Sequence, residues 1–141
     1  MDDVPSAKGY PEFSMTFLEA IRLIKTGDVI ELRRSLDSGL DPNHTNEIGT
    51  TLLMLAAMEG NTALGGLLID MGAELNRENN MRDSALTLAA WFKHPKFVRM
   101  LLDRGVSLDR IRDAGSLDSF LGWVENYCGM TSEQISHLRG T

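Results

Sequence analysis

The feature that most constrains this chain is a pattern that recurs every 33 residues. Three similar tripeptides keep that spacing: Gly39-Leu40-Asp41, Gly72-Ala73-Glu74 and Gly105-Val106-Ser107. Residues 51–57 and 84–90 align at the same period, and both are largely apolar segments that end in paired alanines. A fixed period of this length is typical of chains in which similar short units stack side by side. The sequence therefore predicts a repeat solenoid rather than a domain folded around one central core.

Within one unit the residues predict a helix, a tight turn and a second helix. Thr51 and Ser84 are residue types that cap a helix N-terminus, because their hydroxyl groups accept hydrogen bonds from unpaired amides of the first turn. Pro95 suits the first turn of a second helix. Gly72 and Gly105 follow the second helices, where a left-handed backbone favours glycine. The second helices share an apolar stripe at helical spacing, formed by Leu64, Leu67 and Leu68 in one unit and by Phe97, Met100 and Leu101 in the next.

This pattern resembles the ankyrin repeat, whose family signature has a Thr-Pro-Leu-His-like opening, a Leu-Ala-Ala core, a Gly-His turn and a Gly-Ala-Asp-Val-Asn close. Residues 46–78 and 79–111 match the signature well, and residues 17–43 match it in their second half. The departures are Leu52 and Ala85 in place of the family's proline, Met54 and Thr87 in place of its histidine, and Lys93 in place of its turn glycine. The resemblance implies an all-α ankyrin-repeat solenoid of helix-turn-helix units with atypical N- and C-terminal capping helices.

The length of 141 residues, 43% of them hydrophobic, suits one domain. We expect a flexible leader at residues 1–12 and a single ankyrin-repeat domain at 13–141, with repeats at about 13–45, 46–78 and 79–111. Because the end units of a solenoid need polar, irregular caps, we expect two closing helices at residues 116–139. The second of them is preceded by Thr131-Ser132-Glu133-Gln134, which resembles a capping box.

Charge and cysteine content exclude several classes of partner and compartment. The chain has 14 Lys and Arg against 20 Asp and Glu, a net charge of -6, which repels nucleic acid and anionic membrane surfaces. Seven acids and two arginines lie between Asp41 and Asp83, a local balance of -5. Cys128 is the only cysteine, so an internal disulfide is impossible. With no apolar run of signal-peptide or bilayer length, the prediction is a cytoplasmic protein.

Side chains able to carry out chemistry are scattered. None of the three histidines, His44, His94 and His137, has a partner at metal-ligand spacing, and the resemblance gives His94 a structural place in the turn between helices. Residues 60–67 have the glycine spacing of a phosphate-binding loop but lack its lysine and hydroxyl residue. No base lies near Cys128 in the sequence to activate its thiol. We therefore predict no catalytic residue, no cofactor and no metal.

The resemblance implies that a protein partner binds at the loop tips, residues 46–50 and 79–83, and at the exposed face of the first helices. Bulky apolar residues stand there in columns that should face solvent, which is typical of an interaction surface, although single members could instead pack inside. The predicted partner-binding residues are Glu47, Ile48, Met58, Glu59, Met81, Asp83, Trp91 and Phe92.

These features favour a non-catalytic interaction module that is monomeric when unbound. Its acidic, apolar-centred concave face is predicted to bind a protein with a basic surface. By analogy with small bacterial members of the family, the most specific interpretation is an inhibitor or immunity protein that blocks a toxin such as a nuclease. A general adaptor, a structural subunit and an enzyme are the alternatives.

Overall fold

The computed structural model of the protein describes the backbone of residues 12–140 and the side chains of residues 17–140. The predicted leader, residues 1–12, lies outside the described residues except for Glu12, at which the first helix begins. The described part of the chain forms nine helices: α1 (Glu12–Thr26), α2 (Val29–Asp37), α3 (Leu52–Glu59), α4 (Thr62–Asp70), α5 (Ala85–Trp91), α6 (Pro95–Asp103), α7 (Asp109–Asp113), α8 (Leu117–Tyr127) and α9 (Ser132–Gly140). The predicted all-α fold of paired helices is confirmed.

The first six helices form two stacked layers. Each unit is a helix pair, α1 with α2, α3 with α4 and α5 with α6. The first members stack as an inner layer, in which α3 contacts both α1 and α5, and the second members stack as an outer layer, in which α4 contacts both α2 and α6. The core between the layers is built mainly of leucine and alanine, including the fully buried Leu52, Ala56, Leu64, Leu68 and Ala89. Paired alanines allow the inner helices to approach closely, as the repeating sequence indicates.

Side chains cap the helices at the residues that the sequence predicts. Thr51 Oγ1 accepts a hydrogen bond from the amide of Met54 at 3.1 Å, and Ser84 Oγ accepts one from the amide of Thr87 at 3.2 Å. Pro95 occupies the first turn of α6. These bonds satisfy amide groups that have no partner inside the helix, so α3 and α5 each begin at a fixed residue.

The turn between the two helices of a unit is packed against the next unit. Gly60 adopts φ +72°, and the ring of His94 lies over it, so that an added Cβ would stand 2.4 Å from His94 Nδ1. His94 Nε2 is 2.9 Å from the carbonyl oxygen of Met58, which fixes the ring. Lys93 takes the same left-handed conformation, φ +62°, in the last unit. His94 is therefore a structural residue that joins neighbouring units.

The C-terminal helices close the stack without repeating its geometry. Helix α8 packs against α6, α7 and α9. Its Leu121 and Val124 are fully buried, and Ile135 of α9 is buried too. The amide of Thr131 donates to Gln134 Oε1 at 2.9 Å and the amide of Gln134 donates to Thr131 Oγ1 at 3.2 Å. This reciprocal pair is the capping box that the sequence indicates before α9.

Candidate functional site

Two loops project between the units, and we call them the fingers: residues 46–50 and residues 79–83. In the first, Asn46 Oδ1 accepts hydrogen bonds from the amides of Ile48 at 3.0 Å and Thr50 at 2.9 Å. In the second, Asn79 Oδ1 accepts hydrogen bonds from the amides of Met81 at 2.9 Å and Asp83 at 3.0 Å. The same asparagine-centred turn therefore shapes both fingers and leaves one large apolar side chain at each tip.

The two fingers are bonded to each other. The amide of Asn80 donates to the carbonyl oxygen of Ile48 at 2.8 Å, and Asn79 Nδ2 donates to Thr50 Oγ1 at 3.2 Å. Gly49 adopts φ +83°, and a Cβ there would stand 3.4 Å from Asn79 Cα, so the backbones approach closely. Bonds between the fingers reduce the conformational freedom that binding would otherwise remove.

The tips and the end of α5 expose large apolar side chains. Met81 is 68% exposed and Ile48 is 44% exposed. Trp91, the last residue of α5, is 80% exposed, and the adjoining Phe92 is 44% exposed. We call the surface formed by the two fingers and the C-terminal ends of α3 and α5 the inner face.

Met58 does not share this exposure, which corrects the expectation that it faces solvent. It is half-buried and packs against the core. Trp91 occupies the equivalent position one repeat later. The difference follows from the stack: α5 follows α3, whereas the inner layer stops at α5. Glu59, next to Met58, is exposed and forms an ion pair with Lys25 at 3.3 Å.

Two apolar grooves lie at opposite ends of the stack. The N-terminal groove, with a volume of about 660 Å³, is lined by Phe17, Leu18, Ile21, His44, Thr45, Asn46, Glu47 and Ile48. The C-terminal groove, about 460 Å³, is lined by Thr87, Ala90, Trp91, Arg110, Ile111, Ala114, Ser116, Ser119 and Phe120. Sequence reasoning missed both grooves, because Leu18, Ile111 and Phe120 stand far from the fingers in the chain and only packing brings them together with Ile48 or Trp91.

Ion pairs offset much of the negative charge expected between Asp41 and Asp83. Four of the seven acids have a cationic partner: Glu59 with Lys25, Asp70 with Arg104 at 2.9 Å, Glu74 with Arg77 at 3.2 Å, and Glu78 with Arg110 at 2.7 Å. Three of these cations lie outside the segment, so the balance of -5 counted along the sequence overstates the charge a partner meets.

Glu47 and Asp83 are the acids of the inner face that have no ion pair among the described residues. Glu47 is exposed and lines the N-terminal groove, and Asp83 is half-buried at the base of the second finger. The Glu78 and Arg110 side chains, by contrast, form two hydrogen bonds, and Arg110 lowers the pKa of Glu78. On the inner face, therefore, Glu47 and Asp83 are the carboxylates available to pair with a cation of a partner.

The described residues hold no arrangement suited to metal binding, since no three of their His, Cys, Asp or Glu side chains cluster in the geometry that a metal ion needs. Cys128 is buried, and burial raises the pKa of its thiol to about 11, so the nucleophilic thiolate is scarce at neutral pH. His44 packs edge-on against Phe17, with 4.7 Å between ring centroids, and its Nδ1 accepts a hydrogen bond from the amide of Thr45. Burial of Cys128 and the contacts of His44 with Phe17 and Thr45 therefore indicate structural roles for these two residues.

Comparison with known proteins adds one match. A family model described as ankyrin repeats, in three copies, matches residues 20–112, about two thirds of the chain. No curated protein matches the sequence significantly. Within residues 12–140, no helix has the length and apolar character required to span a membrane.

Proposed function

The chain belongs to the ankyrin-repeat family, and from that premise we propose that it is a non-catalytic module whose inner face binds another protein. The observation that carries the proposal is the pair of bonded fingers, which hold Ile48 and Met81 exposed at adjacent tips. Exposed apolar side chains cost solubility, and they are enriched where proteins dock. Because the fingers are already fixed by hydrogen bonds, a partner gains these contacts at little entropic cost.

The proposed partner presents a basic surface to this face. Glu47 and Asp83 flank the apolar tips and have no ion pair among the described residues, so a lysine or arginine of the partner would give each carboxylate an opposite charge. Such pairs at the rim of an interface mainly raise the association rate, and added salt weakens them. Two carboxylates are fewer than the sequence count suggested, so the salt dependence is expected to be moderate.

In its narrowest form the proposal is an inhibitor or immunity protein that acts in the cytoplasm on a basic enzyme such as a nuclease. The support is the negative charge of the chain and its lone buried cysteine, which suits a reducing compartment. An inhibitor of this kind binds at nanomolar concentration, which corresponds to about 12 kcal/mol of binding free energy. General adaptor function requires no such affinity.

The test is affinity capture from the cells of origin with three tagged proteins: the wild type, Ile48→Ser combined with Met81→Ser, and Ile30→Ser. Ile30 is an exposed residue of the outer helix α2 and serves as the matched control for loss of surface apolar area. We expect a stoichiometric protein with the wild type and the control, and its loss with the finger variant. Circular dichroism verifies that all three fold.

Retention of the same protein by the finger variant would refute the proposed face. If the captured partner is an enzyme whose activity is unchanged in the complex, the inhibitor form of the proposal is wrong while the binding function stands. Titration calorimetry of the recovered pair then gives the affinity that separates a tight inhibitor from an adaptor.

A further inference from the structure

The inner layer of helices ends at α5 with one side uncovered. On α3, which α5 follows in the stack, Met54 and Ala57 are fully buried and Met58 packs against the core. The residues 33 positions later on α5 are more exposed: Thr87 and Ala90 are half-buried, and Trp91 is 80% exposed. The repeat positions that are covered by a neighbouring helix in the second unit are therefore more exposed to solvent in the third.

Helix α8 starts within one residue of the place where the period puts a fourth inner helix, yet it does not fill that place. It packs against α6, α7 and α9, and Val124, the repeat counterpart of Trp91, is buried there. The C-terminal groove separates the first turn of α8 from α5, with Phe120 on one wall and Trp91 on the other. The more exposed residues of α5, Thr87, Ala90 and Trp91, therefore line a groove on the side where a regular stack would place its next inner helix.

Building on the proposed function, we infer that the C-terminal groove binds a short amphipathic helix of the partner protein. That helix stacks on α5 as α5 stacks on α3, continuing an arrangement that the fold already contains. Inner helices α3 and α5 have eight and seven residues, so the contact covers about two turns.

The walls of the groove define the chemistry of this helix. Trp91, Ile111 and Phe120 are apolar, so the helix presents apolar side chains at positions i, i+3 or i+4 and i+7. Arg110 at the rim is already paired with Glu78. Asp113 adjoins the wall residue Ala114 in the chain but is not itself part of the lining. It has no ion pair within residues 17–140, so it favours a lysine or arginine at the edge of the apolar stripe.

The experiment selects peptides from a phage-displayed library of helical sequences about 15 residues long, since isolated shorter helices are marginal in water. Wild-type protein is the bait, and the Trp91→Ala protein is added in excess as a competitor. We expect enriched peptides to have the apolar spacing given above and at least one basic residue. In fluorescence anisotropy, the best peptide should bind Trp91→Ala and Phe120→Ser about 30-fold more weakly than the wild type, the loss caused by removing an interface hot spot. It should bind Ile30→Ser, on the outer helix α2, like the wild type.

Three outcomes overturn the inference: no enriched sequence, enriched peptides that bind Trp91→Ala as well as the wild type, or a consensus containing proline within the contact. Sedimentation that shows a dimer lost in Trp91→Ala also overturns it, because a second copy then occupies the groove. These failures differ from failure of the proposed function, whose test depends on Ile48 and Met81 of the fingers. A partner captured through the fingers, with no helical peptide for the groove, would refute only the present inference.

Discussion

Two adjacent glycines of α4 offer a sharp test of how the outer helices stack. An alanine at Gly65 would place its Cβ 2.5 Å from Cε2 and 2.6 Å from Cζ of Phe97, and 3.0 Å from Cε of Met100. An alanine at Gly66 meets nothing closer than 3.7 Å. Both residues lie inside the same helix, so the two substitutions change helix propensity equally and differ in the contact they create.

The two substitutions are expected to change the free energy of unfolding in opposite directions. Replacing glycine by alanine inside a helix stabilises it by about 1 kcal/mol, because alanine loses less backbone entropy on folding. Gly66→Ala should retain most of that gain. At Gly65 the added methyl group pushes into the ring of Phe97, which is fully buried and cannot move aside freely, and overpacking of this kind costs about 1–3 kcal/mol. We expect Gly65→Ala to be destabilising by about 1 kcal/mol in total.

Urea unfolding, followed by circular dichroism, measures the free energy of unfolding of both variants. A difference of about 2 kcal/mol between them corresponds to about 4–8 °C in melting temperature for a chain of this size. In a Phe97→Leu background the smaller side chain relieves the clash. Gly65→Ala should then destabilise the protein much less than it does in the wild-type background. If Gly65→Ala stabilises the protein as much as Gly66→Ala does, the claim that α4 packs closely on α6 at Gly65 is refuted.

Three further predictions concern single residues. Lys93→Gly should raise the free energy of unfolding by about 0.5–1 kcal/mol, because φ is +62° and glycine removes the left-handed strain; a lower urea midpoint would contradict this. Because Cys128 is buried and burial raises the pKa of its thiol to about 11, the folded chain should react with iodoacetamide at pH 8 far more slowly than the same chain unfolded in urea; equal rates in the two states would argue against burial. Arg110 lowers the pKa of Glu78 from 4.5, so the pair stabilises the fold above pH 4.5 and loses that effect as the pH falls through the lowered pKa. Glu78→Gln should therefore have a lower urea midpoint than the wild type at pH 7 and an equal one in acid, and a difference independent of pH would refute the pairing.

The helical units could be predicted from the sequence because their signals are local. The N-caps at Thr51 and Ser84 and the glycines that follow each outer helix recur with the period. The proline of α6 does not recur, but like the caps and glycines it acts within a few residues of its own position. The finger tips, residues 46–50 and 79–83, could be located because the resemblance to the ankyrin repeat implies a loop before each first helix.

Contacts between distant residues could not be predicted in this way. Met58 and Trp91 occupy equivalent positions, and only the course of α8 explains why one is packed and the other exposed. Ion pairs such as Asp70 with Arg104 join residues about one repeat apart, so a charge count along a single segment missed them. The grooves likewise depend on how the end helices pack, which the repeat pattern does not specify.

Hydroxyl-radical footprinting of the complex with a captured partner tests the central claim most directly, because it reports which side chains the partner covers. Met81 is 68% exposed in the free chain and oxidises readily, and Ile30 on outer helix α2 provides an exposed reference. The account predicts that Met81 is strongly protected in the complex while labelling of Ile30 is unchanged. Unaltered oxidation of Met81, with protection on the outer helices instead, would contradict it.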